Sequence, residues 1–361
     1  MSKTIHLQPN PIRPPMKFTH VAIDAFGYEL PPNVVSSRDL EARLAPLYER
    51  LRLQPGQLEA MTGIYERRFW DPGFKVSEGA GLAGEKALGA ASVSTDDIGM
   101  LIFGGVCRDN LEPATACAVA DYLGLGPQTM IFDVSNACLG VLNGMVQIAT
   151  AIETGQIRAG MVVSCETARE VVEMTVRRLL DAPDMAVFRD AIATLTGGSG
   201  AVAVILAHED LVPDGHRLLG GAVRNATRFH RLCLWGPDAG CITEGVHAMR
   251  TDSVGVLKNG VALGVETYRD FMAEMDWPGQ IPDRIICHQV GAAHQRSILE
   301  SVGIPPDRDF STFPFLGNIG TVSLPVTAAI AEERGVLEKG NRVGLFGIGS
   351  GLNCMMLGME W

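Results

Sequence analysis

The segment DVSNACLGVLNGMVQIATAIETG (residues 133–155) decides how the chain is read. The apolar run TMIFDVSNA (129–137) ends in polar and small residues, and a helical pattern follows. This predicts a strand ending near Val134, a short turn and a helix starting at Cys138. A thiol there faces unpaired backbone N–H groups and the positive end of the helix dipole. Such a position can lower a cysteine pKa from ~8.5 into the range ~3.5–7.5, which makes the thiolate a usable nucleophile at neutral pH. Ala137 and Gly140 leave room for a substrate. A structural cysteine at a helix start fits the same segment, so the rest of the chain must decide.

Outward from this segment, short apolar runs recur at 98–106, 159–167, 200–207, 284–290, 342–351 and 354–361. Helical stretches fit between many of them, at 115–124, 138–154, 260–276, 292–302 and 324–335. Continuous apolar strands alternating with helices predict α/β layers with sheets covered on both faces. THVAIDAFGYEL (19–30) reads as a further strand. SSRDLEARLAPLYERL (36–51) reads as one helix, N-capped by Ser36 with Asp39 three residues on. SEGAGLAGEKALGAASV (77–93) is a helix of small residues that should pack closely on a sheet. The mostly helical segment 168–197 is long for a connection and is read as a lid or dimer-proximal insertion. No linker separates two modules, so two similar halves packed face to face fit best.

Composition narrows the function. The 361 residues, 47% apolar, suffice for a large core or two fused core units. No run reaches the ~18 uncharged apolar residues of a membrane span, and residues 1–17, with four prolines, read as an arm without the apolar run of a secretory signal. A soluble, cytoplasmic protein is expected. Net charge is −11 with dispersed basic residues, which argues against nucleic acid. Arg224, Arg228 and Arg231 in RNATRFHR form a local exception that could meet phosphates or simply be a solvated surface. The eight cysteines (107, 117, 138, 165, 233, 241, 287 and 354) form no CxxC pair, so no metal site is expected.

Four further places could carry chemistry. His288 closes the apolar strand RIICHQV, at the carboxyl edge where α/β sites lie, and a neutral imidazole there can donate to a thioester oxygen. His294, six residues on, reads as structural. Asn318 in FLGNIG is either a turn residue with positive φ or a second donor beside His288. Gly349, Ser350 and Gly351 in GIGSG form a glycine turn or an anion-binding nest. Glu112 in CRDNLEP either complements a helix N-terminus or removes a proton from carbon.

Taken together, TGIYERR (62–68), N-A-C (136–138), TLTGGSGAVAVIL (194–206), H-Q (288–289), G-N-x-G (317–320) with S-x-P (323–325), and G-x-G-S-G (347–351) resemble the thiolase superfamily, in its ketoacyl synthase III branch. The resemblance runs from about residue 18 to 361. It implies the thiolase fold, two similar βαβαβαββ halves in five α-β-α-β-α layers, with an N-terminal half over 18–215 and a C-terminal half over 216–361. Within the branch, CRDNLEP, NACL, GIGSGLNC and the 168–197 insertion are most similar to enzymes that join two fatty acyl-CoAs head to head. For that group the resemblance implies an acyl-cysteine at Cys138, an oxyanion hole from the backbone N–H groups of Cys138 and Ser350, and His288 and Asn318 as enolate donors. It also implies Glu112 as the base, reaching across a homodimer, and no permanently bound cofactor, with acyl-CoA as substrate. Downstream enzymes or an acyl carrier protein are possible partners.

The sequence departs from ordinary synthases III in having Gln57 and Met61 near the usual aromatic and Arg, and HQVG in place of HQAN. Three other readings compete with the head-to-head one. A synthase III that extends with malonyl carrier protein needs no base at 112, a non-catalytic subunit would have lost the nucleophile, and a Cys-His thioester hydrolase needs no donor like Asn318.

Overall fold

The computed structural model describes residues 15–237, 247–277, 281–288 and 290–361. Cys241, Gln289 and most of the N-terminal arm lie outside the described residues.

Nine strands form one continuous path. They are β1 (Val21–Glu29), β2 (Ile98–Gly104), β3 (Met130–Val134), β4 (Ala159–Glu166), β5 (Gly200–His208), β6 (His216–Asn225), β7 (Arg284–Cys287), β8 (Arg342–Gly349) and β9 (Asn353–Glu360). Their order is β7-β8-β9-β6-β1-β5-β4-β2-β3. The path repeats one pattern. In the first five strands, β2 lies parallel to both β3 and β4, and the chain returns through antiparallel β4–β5 and β5–β1 pairs. In the later strands, β7 is parallel to β8 and to a bridge at Asp309, and antiparallel β8–β9 and β9–β6 pairs follow. The two sets join where Ala22 and Ile23 pair with Arg217 and His216.

Period-two alternation along these strands explains the layers. Val202, Val204 and Leu206 of β5 face the central core, together with Leu345 of β8 and Leu357 of β9. Sandwiched there are two helices, α3 (Gly140–Glu153) and α8 (Ser323–Glu333), both densely buried. The opposite face of β5 offers Ala201, Ala203 and Ala207 to α1 (Val76–Ala90) and α2 (Thr115–Leu123). Beyond the later strands, α6 (Ser253–Glu274) and α7 (Ala292–Val302) cover the outer face. The sequence is thus a five-layered α/β fold. Small residues permit the close approach expected of α1: a Cβ on Gly27 would lie 2.2 Å from the Ala83 carbonyl oxygen.

Several local expectations need correction. The helix expected over 36–51 is two, Ser37–Arg43 and Ala45–Leu51, because Pro46 has no N–H to continue the ladder; the Ser36–Asp39 capping box is present. Segment 168–197 is mostly helical as expected, and is divided into α4 (Arg169–Asp181) and α5 (Met185–Leu195), separated at Pro183 and restarted by the Asp184 cap. The helix after the nucleophile turn begins at Gly140 rather than Cys138. Strand β6 was missed because Gly220 and Gly221 break its apolar pattern, and the hairpin Cys233–Pro237/His247–Thr251 was missed as well.

Gly140 crosses β2 so closely that an added Cβ would lie 2.8 Å from the Gly104 carbonyl oxygen. Gly140→Ala should therefore lower stability by roughly 1–3 kcal/mol through overpacking. Gly89→Ala on α1, where a Cβ would meet nothing within 4 Å, should not. Denaturation curves of the two variants check this contrast.

Candidate active site

The carboxyl ends of β3, β7 and β8 converge, as expected for an α/β site. Cys138 sits in a turn between Val134 and α3, two residues ahead of the helix. Ala137 holds the turn with φ +45°, a left-handed conformation that disfavours larger or branched residues. Side chains fix it from both halves of the chain. Asn136 Nδ2 donates to Asn143 Oδ1 at 2.7 Å, and Asn353 Nδ2 donates to Asn136 Oδ1 at 3.0 Å. The end of β8 leans on this turn, since a Cβ on Gly349 would lie 3.3 Å from the Cys138 nitrogen.

Asn318 lies in the turn ahead of α8, five residues before the helix. Its backbone is held on both sides by the Thr-Gly-Gly stretch: the Asn318 N–H donates to Thr196 O, and the Gly198 N–H donates to Asn318 O, each at 2.9 Å. Positive φ falls on Gly317 (+69°) and Gly320 (+63°), not on Asn318, so the turn-residue reading does not hold. The Gly320 N–H donates to Asn318 Oδ1 at 3.1 Å. This fixes the amide with its NH₂ as the end left to donate. The two turns are tied by the Val141 N–H, which donates to Thr321 Oγ1 at 2.8 Å.

His288 follows β7, its N–H donating to Phe346 O at 2.9 Å. The residue is 5% exposed. Burial, helped by neighbouring His294, pushes its pKa down to about 3, so the imidazole is neutral. His294, expected to be merely structural, lines the same cavity as His288, and burial pushes its pKa down to about 4.

Cys138, His288, Asn318, Gly349 and Ser350 line one cavity of about 250 Å³. Its remaining walls are mostly apolar: Met61, Ile192, Met249, Val256, Leu257 and Ile348 are among them. Ile192 and Ala193 come from α5, so the insertion is a wall of the cavity. No described lining residue is an Asp, Glu, Lys or Arg.

The electrostatics of Cys138 differ from the expectation. Burial, with smaller contributions from Cys233 and Glu166, pushes the thiol up to about 12. The helix begins too late, and the site is too dry, to hold a free thiolate. Glu166, unremarked in the sequence, ends the apolar strand β4 as a buried carboxylate. It accepts the Val106 and Cys107 N–H groups at 2.8 and 3.2 Å, and burial raises its pKa. The signal was a lone acid closing a run of buried residues.

Glu112 is exposed, on a loop with Leu111 (74% exposed), and does not line this cavity. Arg224 is held by Asp270 (2.5 and 3.1 Å) and Glu266 (3.1 Å), which occupies the guanidinium expected to meet phosphate, whereas Arg228 and Arg231 are exposed.

Models of the 3-oxoacyl-[acyl-carrier-protein] synthase III family match residues 132–224, and models of its C-terminal region match 273–361. The acyl-CoA:acyl-CoA alkyltransferase of Shewanella oneidensis is 50% identical over 351 residues, 96% of this chain and all of that protein. The chain belongs to this synthase III-like family of acyl-CoA:acyl-CoA alkyltransferases. The Xanthomonas campestris member is 38% identical over 348 residues, again 96% of this chain and all of that one. A crystal structure of Xanthomonas campestris OleA with bound lauric acid and lauroyl-CoA superposes with a TM-score of 0.89 at 37% identity, covering 95% of this chain and 100% of that one. Other structures of that enzyme carry substitutions at a cysteine, a histidine and a glutamate, the glutamate 26 positions before the cysteine.

The half-buried thiol makes a direct prediction. Because its pKa is raised, the thiolate fraction of Cys138 should climb about tenfold per pH unit from pH 7 to 10 without a plateau. Iodoacetamide labelling, read on the Cys138 peptide, checks this; a plateau near pH 7 would contradict it.

Proposed function

We propose that this chain joins two fatty acyl-CoAs head to head, without decarboxylation, through an acyl-Cys138 intermediate, giving a 2-alkyl-3-oxoalkanoate. The observation that carries the reading is the convergence of a thiol, a neutral imidazole and an oriented carboxamide in one apolar cavity, in a chain 50% identical to an acyl-CoA:acyl-CoA alkyltransferase.

The Cys138 sulfur attacks the first thioester carbonyl, and the thiol proton leaves with coenzyme A. A free thiolate is not needed in the resting site if proton loss accompanies attack. The backbone N–H groups of Cys138 and Ser350 hold the tetrahedral oxyanion. The α-carbon of a second acyl-CoA then loses a proton. His288 and the Asn318 amide donate to the resulting enolate oxygen; neutral donors suit an enolate in a site too dry for spare charges. The enolate carbon attacks the acyl-Cys138 carbonyl, and the sulfur leaves to be reprotonated. Water then cleaves the remaining thioester, releasing the oxo acid and the second coenzyme A.

The base is assigned to Glu112 of a second copy. No acid among the described residues lines the cavity, Glu112 is exposed, and it lies 26 positions before Cys138, matching the separation in the Xanthomonas enzyme. A homodimer is supported by half-exposed β3 at the end of the sheet path, with Met130 and nearby Leu111 exposed. The halves divide at 215/216, where the strand pattern begins again. Arg228 and Arg231 are the candidates for coenzyme A phosphates. No permanently bound cofactor is invoked, and the cytoplasm, which supplies acyl-CoA, is the proposed compartment. The malonyl carrier protein alternative gives Glu112 no task.

Cys138→Ser should keep the fold and abolish condensation, and wild-type protein with excess acyl-CoA should gain one acyl group at Cys138. Glu112→Gln should keep that adduct and lose carbon–carbon bond formation. Asn318→Ala should cost about 10²–10³ in kcat, as for loss of one oxyanion donor. Intact mass and product assays read all three. An adduct at another cysteine, or undiminished product from Glu112→Gln, would remove the corresponding assignment.

A further inference from the structure

Behind His288 lies a second, much smaller cavity, of about 20 Å³, between β7, β8 and the helices α6 and α7. His288, His294, Cys287, Gly260, Gly264 and Ile348 are among its walls. Its size suits one water molecule, which requires at least ~10–15 Å³ and two or more polar partners. Two of its lining side chains carry a polar atom still to be satisfied. The Nδ1 atoms of His288 and His294 are both fully buried and have no hydrogen-bond partner among the described residues. The two rings also sense one another, since His294 lowers the proton affinity of His288. The remaining wall is largely apolar, with Ile298, Phe346 and Met356. A buried imidazole nitrogen in such surroundings calls for a donor.

We propose that a single bound water in this inner cavity donates one hydrogen to each Nδ1. Both rings then carry their proton on Nε2. His288 lines the inner cavity and the active-site cavity alike, so an accepting Nδ1 behind leaves an Nε2–H donor in front. His294 is thereby a positioning residue: it acts by fixing the tautomer of His288 through the water. This deepens the proposed function, because it rests on His288 acting as a donor to the enolate oxygen. It also explains why a second histidine follows six residues after the first, in the first turn of α7, where the sequence alone suggested a structural role. The glycines of α6 complete the argument. A Cβ on Gly260 would meet only the Ile348 Cδ1 atom, at 3.0 Å, so Gly260 leaves space on the cavity wall that packing does not require.

The test is nitrogen NMR on protein labelled with ¹⁵N-histidine, in the resting state near neutral pH, with His288 assigned by comparison with His288→Ala. Long-range proton–nitrogen correlation should show His288 with an unprotonated, hydrogen-bonded Nδ1 and a protonated Nε2. Gly260→Ala puts a methyl group into the inner cavity in a helix interior where alanine is favoured. It should abolish that single-tautomer pattern and lower condensation kcat by roughly tenfold, short of the ~10² of losing a donor outright. The KM for acyl-CoA and the Cys138 adduct should be unchanged. His294→Leu should also abolish the single-tautomer pattern and lower kcat, and His294→Gln, whose amide N–H can donate to Nδ1 directly, should recover part of both. A proton on Nδ1 of wild-type His288, or a tautomer and kcat indifferent to both Gly260→Ala and His294→Leu, would overturn the proposal. If the variants fail to fold, the wild-type spectrum alone decides. Failure of Cys138 to accept an acyl group would instead remove the proposed function and leave the resting tautomer untouched.

Discussion

The hydrogen bond from the Val141 N–H to Thr321 Oγ1 joins the first turn of one central helix, α3, to the turn ahead of the other, α8. The site proposed above depends on the two helix starts being held together in this way. Cys138 and Asn318 are about 180 residues apart in sequence, and they line one cavity because the paired helices α3 and α8 start side by side. The repeat of strand order brings this about, since each half delivers a tight turn to the amino end of its buried helix. Glycines at the crossings, Gly104 against Gly140 and Gly198 against the Leu316 carbonyl, let the backbones approach as that arrangement demands.

The second constraint is dryness. Burial raises the thiol and lowers both imidazoles, so the resting site is uncharged. Such a site does not hold a free thiolate or imidazolium, and it favours reactions in which charge appears only as bonds form. It also suits two alkyl chains, because the cavity walls are mostly aliphatic. A resident carboxylate would be costly in that cavity. In the proposed mechanism a base carried on an exposed loop and brought in by a second copy avoids that cost, a role open to Glu112, which stands outside its own chain's cavity.

The amino-acid sequence conveyed much of this. Apolar runs alternating with helical patterns predicted the α/β layers, and the flanks of Cys138, His288 and Asn318 picked out the groups that now line one cavity. What it hid was non-local. Strand β6 is interrupted by glycines needed for close pairing with β9, so its periodicity is lost. The start of α3 slipped by two residues because Ala137 adopts a left-handed turn, and with it the expected low thiol pKa failed. Glu166 was passed over and His294 was read as structural because what each faces is set by the fold, and the pairing of Arg224 with Asp270, 46 residues away, was not in view. Glycine-rich motifs were legible as turns, but only the structure gives their neighbours.

The stoichiometry of turnover with a single acyl-CoA, and no malonyl donor, tests the central claim most directly. The account predicts two coenzyme A thiols released for each 2-alkyl-3-oxo acid formed, with both carbon chains drawn from the same substrate and no carbon dioxide evolved. One free fatty acid for every coenzyme A, or a product that appears only when malonyl carrier protein is supplied, would contradict it.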